Sequence, residues 1–564
     1  MTQEPILTLR LRPAEGPLDY DLNLLATTAQ GLANRRAPRV IVENPLSEAR
    51  PHDTGTAWQW IDRFTQPGEW LAGRRVEPLE TVAHLVARLG REVKGVVIFD
   101  PAVPATSNTA VTLAAREGLA VTGPDGHAWL TGLDLDLPVM HDLRGRFTTK
   151  SEAIRWMIET LIEGRTDLRM MSYVLDAWRR SHGGSEDGMD VEGMDYVIAL
   201  GGVAFDLTPW GDEAPVDDPA QPPGDGLRLW HRLFRAAALA REGEPPLEVT
   251  GFPFWRYKYS NYGEAGGRRL PHEAEWEAIW QMSPYGVFLN PLIAPNMSFH
   301  RYGPLPRGLT QRVPPEPPPL ANKTYICLHL GDFDGGYGVY RRLPVLWSDP
   351  RRGEMPLGWG VNPNLARNYP DIVAWTFART TPNDHLWADA SSAGYVNPNR
   401  LLEPPPDLPM RDTPIALWRR FCRHWYERLD YTISPMVLDQ HLPRPEVLDA
   451  FADFSPGGAA WLIENRRGET VAPLKPHLWR GMPVARLHDL SYAKSDAELA
   501  DWMLKYAEND SPDRPAFHLY RFEWKPPSLI FDTVREVQRR AAPREWLALH
   551  PRQWFELLKR HLAQ

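Results

Sequence analysis

Short apolar runs rich in β-branched residues recur along the whole chain, and patterns of helical period lie between many of them. That alternation constrains the fold more than any other feature, because it suits parallel strands joined by crossover helices. Near the N-terminus, Arg39–Val42 and Gly95–Asp100 predict buried strands. Between them, Glu77–Leu89 reads as a helix with Pro78 in its first turn, where a missing N–H costs nothing. A Gly/Ser/acidic stretch over Ser181–Gly193 predicts a boundary. Residues 1–190 are therefore expected to form an open α/β domain.

From Asp195 onward the alternation continues. Apolar runs occur at Tyr196–Leu200, Val203–Phe205, Leu247–Phe252, Val287–Ile293, Tyr325–Leu330, Leu386–Ala390, Ala459–Ile463, Val484–Leu487 and Phe517–Tyr520. Leu229, Leu233, Ala236 and Ala240 share one helical face, Ser495–Glu498 reads as a capping box, and Trp554, Leu558 and His561 mark a final helix. Roughly eight strand-and-helix units predict a (β/α) TIM-like barrel over residues 191–564, with a second doubly wound domain as the competing architecture. Proline-rich segments at Asp212–Gly226, Pro314–Pro319 and Glu403–Pro409 read as stiff loops within it.

Composition removes several classes of function. With 63 basic and 72 acidic residues the net charge is −9, which argues against nucleic acid or anionic membranes as partners. No apolar stretch reaches the length of about 18 residues that a membrane helix needs. The opening residues lack the order of a signal peptide, so a cytoplasmic location is expected. Two cysteines, Cys327 and Cys422, are too few for a disulfide framework or a thiolate zinc site. Phosphate-loop, dinucleotide, zincin and nucleophile-elbow motifs are absent, and His272-Glu-Ala-Glu-Trp lacks the second zincin histidine. No cofactor and no metal are expected.

The informative regularity is what ends each apolar run. The runs lead into Asp206, Trp255, Asn296, Asp332 with Asp334, Asp389 with Ser392, Glu464, Asp489, and Arg521 with Glu523. In a barrel these positions converge on the carboxyl face, where catalytic side chains gather. The competing reading is that Asp and Asn cap helices and turns. The densest cluster is His329-Leu-Gly-Asp332-Phe-Asp334-Gly-Gly-Tyr337, in which two acids follow an apolar strand and glycines then allow a sharp turn. Such a pair can divide acid and base roles, position a sugar or bind a hard cation. Its spacing does not fit an EF-hand loop, because Leu343 stands where the bidentate Glu belongs.

Several blocks resemble one family. Tyr196–Pro215, the Asp332-x-Asp334 block and Ala390–Pro398 resemble the bacterial GxGYxYxxP putative glycoside hydrolases. Asn23–Arg35, Asp100–Asn108 and His550–Lys559 resemble other parts of the same family, in the same order. In the name-giving motif Gly394 and Tyr395 are kept, while Ser392 stands for the first Gly, Asn397 for the second Tyr and Arg400 for the Pro. The resemblance implies an N-terminal α/β domain, a TIM-like barrel and carbohydrate hydrolysis.

Together these readings predict an acidic pair at the barrel mouth, with Asp332 or Asp334 opposite Glu464 or Asp389. One carboxyl protonates the leaving glycosidic oxygen, and the other attacks or activates water. Asp206, Trp210, Trp255, Asn296, Ser392, Tyr395, Asp489 and Glu523 are expected to bind the carbohydrate, with Trp524 a further stacking platform. A noncatalytic carbohydrate-binding scaffold and a metal-assisted, deacetylase-like hydrolase remain the alternatives.

Overall fold

Where the apolar runs are continuous, the strands they form are buried on both faces, as parallel sheets covered by helices require. Val40, Ile41, Val96, Val97, Val287 and Phe288 all have no exposed surface. The computed structural model describes residues 4–43, 56–135, 137–178, 180, 191–210, 215, 217–241, 245–252, 274–292, 294–463 and 471–564. They divide into two units, one running to Pro304 with Asn368–Asp371 and Pro404–Asp412 added, the other made of the remainder to Gln564.

The first unit holds three parallel sheets. Strands β1 (Ile6–Arg10), β2 (Val40–Glu43) and β3 (Val76–Leu79) pair in the order β2-β1-β3. Strands β4 (Val96–Ile98), β5 (Ala120–Thr122) and β6 (Val139–Asp142) pair as β5-β4-β6. Strands β7 (Met170–Tyr173), β8 (Val203–Phe205), β9 (Leu247–Gly251) and β10 (Val287–Pro291) pair as β10-β9-β7-β8.

The last of these sheets overturns the expected division at residue 190. Its inner strand β7 precedes that point and its other strands follow it, so the cut falls after Pro304 instead. Two local expectations also fail. Tyr196–Leu200 belongs to the helix Met194–Leu200, which Gly201 ends with φ +66°. Glu77, Pro78 and Leu79 belong to β3, where Pro78 is tolerated because β3 lies at the sheet edge, and the helix begins only at Val82.

The second unit is built on seven parallel strands. These are β11 (Thr324–Phe333), β12 (Leu357–Val361), β13 (Asp384–Trp387), β14 (Ile433–Asp439), β15 (Gly458–Ile463), β17 (Met482–Asp489) and β18 (Ala516–Glu523). The short β16 (His477–Trp479) runs antiparallel beside β17, and β19 (Trp546–Ala548) pairs with the start of β11. The order β13-β12-β11-β18-β17-β15-β14 is the chain order read round a ring, so the sheet curls. No ladder joins β13 to β14, but Ser391 N–H donates to the Met436 carbonyl at 2.9 Å across the gap. The α/β class and the TIM-like curl are as expected. Among the described residues seven strands make up the curl, and the expected runs before Pro304 belong to the other unit. Among the described residues no helix is long and apolar enough to cross a membrane.

Candidate active site

The carboxyl ends of β11, β12, β17 and β18, with the segment that follows β13, build one polar cluster. At the end of β11, a Cβ on Gly331 would stand 2.8 Å from His329 Nε2, 3.1 Å from Arg521 Nε and 3.3 Å from Asp389 Oδ1. Only glycine lets three polar groups close round that point. Asp332 follows with φ +77°, in the left-handed region that Asp tolerates better than most residues.

Asp389 holds the backbone there. Its Oδ2 accepts the N–H groups of Asp332 at 2.7 Å and Phe333 at 2.9 Å, and its Oδ1 lies 3.1 Å from His329 Nε2. The Asp389 N–H donates to Asn362 Oδ1 at 2.6 Å, and Asn362 Nδ2 donates to the carbonyl of Ala390 at 3.2 Å. Asp389 and Asn362 are both completely buried. Gly360 in β12 makes room for this clamp, since a Cβ there would sit 2.7 Å from Asp389 Oδ2.

The carboxylates meet at Arg521, a buried residue of β18. Its guanidinium donates to Asp332 Oδ1 at 2.8 Å and to Asp489 Oδ2 at 2.9 Å, and Glu523 Oε2 lies 3.9 Å away. The side chains of Asp332 and Glu523 are 26% and 38% exposed, whereas that of Asp489 is 4% exposed. Burial pushes the Asp332 carboxyl up to about 7. Arg521 opposes the shift, and the charges of Glu523, Asp389 and Asp489 reinforce it. The half-buried Trp524 donates from Nε1 to the Asp332 carbonyl at 2.8 Å, with the Arg342 guanidinium 4.7 Å from its ring centroid.

The other expected residues are distributed unevenly. Asp334 is nearly buried, and its carbonyl accepts from Asn362 Nδ2 at 3.4 Å. Ser392 and Tyr395 are buried in the segment after β13. Asp206, Trp210 and Asn296 lie in the first unit. There, Asp206 faces Lys150 Nζ at 3.8 Å, the Trp210 N–H donates to Thr208 Oγ1, and Asn296 brackets the backbone of Val42 through both its amide atoms. Trp255 and Glu464 fall outside the described residues. Among the described residues, no group of three or more His, Cys, Asp or Glu comes together as a metal site.

Sequence reasoning missed the roles of two participants, and it passed over one further buried acid at a strand end. Arg521 is the hub of the acids, although only its place at a strand end was visible. Asn362 follows a glycine-broken strand. Asp439 ends β14, whose apolar pattern Pro435 interrupts. Burial raises the Asp439 carboxyl to about 6, opposed by the backbone N–H groups of Asn399, His441 and Gln440.

Residues 322–559 match the GxGYxYP putative glycoside hydrolase C-terminal domain, and residues 93–164 match the GxGYxYP_N second domain. The chain belongs to the GxGYxYP family. A crystal structure described as a putative hydrolase from Bacteroides thetaiotaomicron VPI-5482 shares the fold. It has a TM-score of 0.69 at 15% identity, covering 99% of this chain and 95% of that one. No curated protein matches the chain. The GxGYxYP C-terminal domain spans all the strands of the curled sheet and the whole acidic cluster. The motif's first glycine position, Ser392 here, has φ +86°, a backbone conformation that explains why glycine suits it. The seryl Oγ lies 3.0 Å from Ser434 Oγ, a hydrogen bond that glycine could not make.

Proposed function

We propose that the chain hydrolyses a glycosidic bond, with Asp332 as the proton donor and Glu523 as the partner carboxylate. The observation that carries this reading is the Asp332 carboxyl, reachable from solvent yet held at about 7. A carboxylic acid that keeps its proton near neutral pH can donate it to a leaving glycosidic oxygen, which departs poorly as an alkoxide. Glu523 is the most exposed of the acids around Arg521 and is free of the tight contacts that hold Asp489 and Asp389. It stabilises the oxocarbenium-like centre, as a nucleophile or by activating water.

Asp389 positions rather than reacts, because both its oxygens serve His329 and the backbone that aims Asp332. Trp524, tied to the Asp332 carbonyl, offers part of a flat apolar edge beside a sugar ring. Family membership supports carbohydrate as the substrate class.

The test is to screen glycans for products by mass with the wild type, Asp332→Asn and Glu523→Gln. Each substitution is expected to lower turnover by about 10²–10⁴-fold with binding retained. Asp332→Asn should lose least on aryl glycosides whose leaving oxygen is weakly basic and needs no proton. An Asp332→Asn variant that turns over every substrate at the wild-type rate would remove Asp332 as the acid.

A further inference from the structure

The sheet of the second unit has two ends, β13 and β14, and the ring is closed between them by side chains and one crossing segment. Along β13 the Gln311 amide takes the place of a neighbouring strand. Its Nε2 donates to the Leu386 carbonyl at 2.6 Å, and its Oε1 accepts the Leu386 N–H at 3.2 Å. Beyond Trp387 the chain itself crosses the gap over residues 389–399, and β14 receives it.

Four residues of β14 hold that crossing. Ser434 Oγ lies 3.0 Å from Ser392 Oγ, and the Met436 carbonyl accepts the Ser391 N–H at 2.9 Å. The Leu438 N–H donates to Ser391 Oγ at 3.3 Å, and that hydroxyl donates in turn to the Val396 carbonyl at 2.7 Å. The Asp439 carboxylate accepts the Asn399 N–H at 3.0 Å on Oδ2, and the Asn397 amide nitrogen donates to its Oδ1 at 3.1 Å. Ser391, Ser392 and Asp439 are completely buried, so their polar groups depend on these partners. Ser391 and Ser392 have φ +53° and +86°, a backbone that persists in serine only where the surroundings over-determine it. Ser392 and Asn397, two of the chain's departures from the family motif, both take part in the brace.

The crossing begins with Asp389, whose carboxylate takes the N–H groups of Asp332 and Phe333. The Asp389 carbonyl accepts the Ser392 N–H at 3.3 Å. The clamp on Asp332 and the grip of β14 are therefore two ends of one short turn. Looseness there matters for chemistry, because a misplacement of about 1 Å costs about 10²-fold in rate.

We propose that Ser391 and Asp439 are positioning residues of the acid site. By binding the crossing to β14 they fix Asp389, and Asp389 fixes the backbone that aims Asp332. The effect on turnover rests on the reading of Asp332 as proton donor, whereas the coupling between the two turns does not.

The experiment is hydrogen exchange of the full chain, read by mass spectrometry over residues 331–334, over residues 390–399 and, as a control in the first unit, over β4. In Ser391→Ala and Asp439→Ala the amides of Asp332 and Phe333 are expected to exchange about tenfold faster than in wild type, with β4 unchanged. Asp439→Asn, which keeps the shape and one accepting oxygen, should fall between. On a glycan that the wild type cleaves, kcat should drop about tenfold in the alanine variants at unchanged KM. A brace that serves only its own loop would speed exchange over residues 390–399 alone, and that result overturns the proposal. So do wild-type rates throughout, faster exchange in β4 as well, or faster exchange at Asp332 with an unchanged kcat. If an alanine variant fails to fold, Asp439→Asn carries the same comparison at Asp332 and Phe333. Absence of glycan cleavage by the wild type would count against the proton-donor reading, and the exchange rates alone would then decide the coupling.

Discussion

Asp332 combines a left-handed backbone, a guanidinium partner and a carboxyl held at about 7. An unfolded Asp titrates near about 3.9, so between about pH 4 and pH 7 the folded protein binds the extra proton. Stability contributed by this group is therefore full below about pH 4 and is lost as pH rises through about 7. Relative to wild type, Asp332→Asn should gain melting temperature across that window and keep a constant difference on either side. A difference independent of pH from 4 to 9 would contradict the raised carboxyl. Asp389 makes the opposite kind of prediction. An Asn there still accepts both backbone N–H groups and offers its NH2 to His329, so Asp389→Asn should keep most activity. Asp389→Ala, which leaves two buried amides unpaired, should cost about 1–3 kcal/mol and most of the turnover. Denaturant titration alongside rate measurement separates the two.

At the level of strands and helices, legibility followed how evenly apolar residues were spaced. β11, β15 and β18 stood out because their runs are largely apolar and buried, and β17 did so although the exposed Arg486 interrupts it. β12 did not, because Gly358 and Gly360 dilute its pattern. Trp387 and Asp389 press against those two positions, and that packing is set by β13 and the residues after it. Gly360→Ala should therefore displace Asp389 and loosen the Asp332 turn, costing about 1–3 kcal/mol by overpacking and lowering activity with it. Unchanged stability in a urea titration would mean the clamp has slack. β14 was hidden by Pro435, which the strand accommodates where its register with β15 shifts between Ser434 and Val437. Pro78 misled in the other direction: a first-turn proline and an edge-strand proline look alike until the neighbouring strand is known.

At the scale of the whole molecule, the two units are not simple consecutive segments. Asn368–Asp371 counts with the first unit, where Asp371 Oδ2 lies 2.8 Å from the fully buried His300 and Tyr369 donates to the Pro295 carbonyl. A fragment ending at residue 304 would leave those groups without these partners, and it should melt below the full chain or fail to fold. A fragment with the melting temperature of the full chain would show those contacts to be dispensable.

The α/β class, the curled sheet and the acids at strand ends were legible from the order of residues, because parallel strands bury both faces and must end in polar turns. Which acids meet was not, because convergence depends on strand order. That order sent the runs before Pro304 to a separate unit and brought Arg521 between Asp332 and Asp489. The protonation of Asp332 likewise arose only from burial and neighbouring charge, quantities that exist once distant segments have packed together.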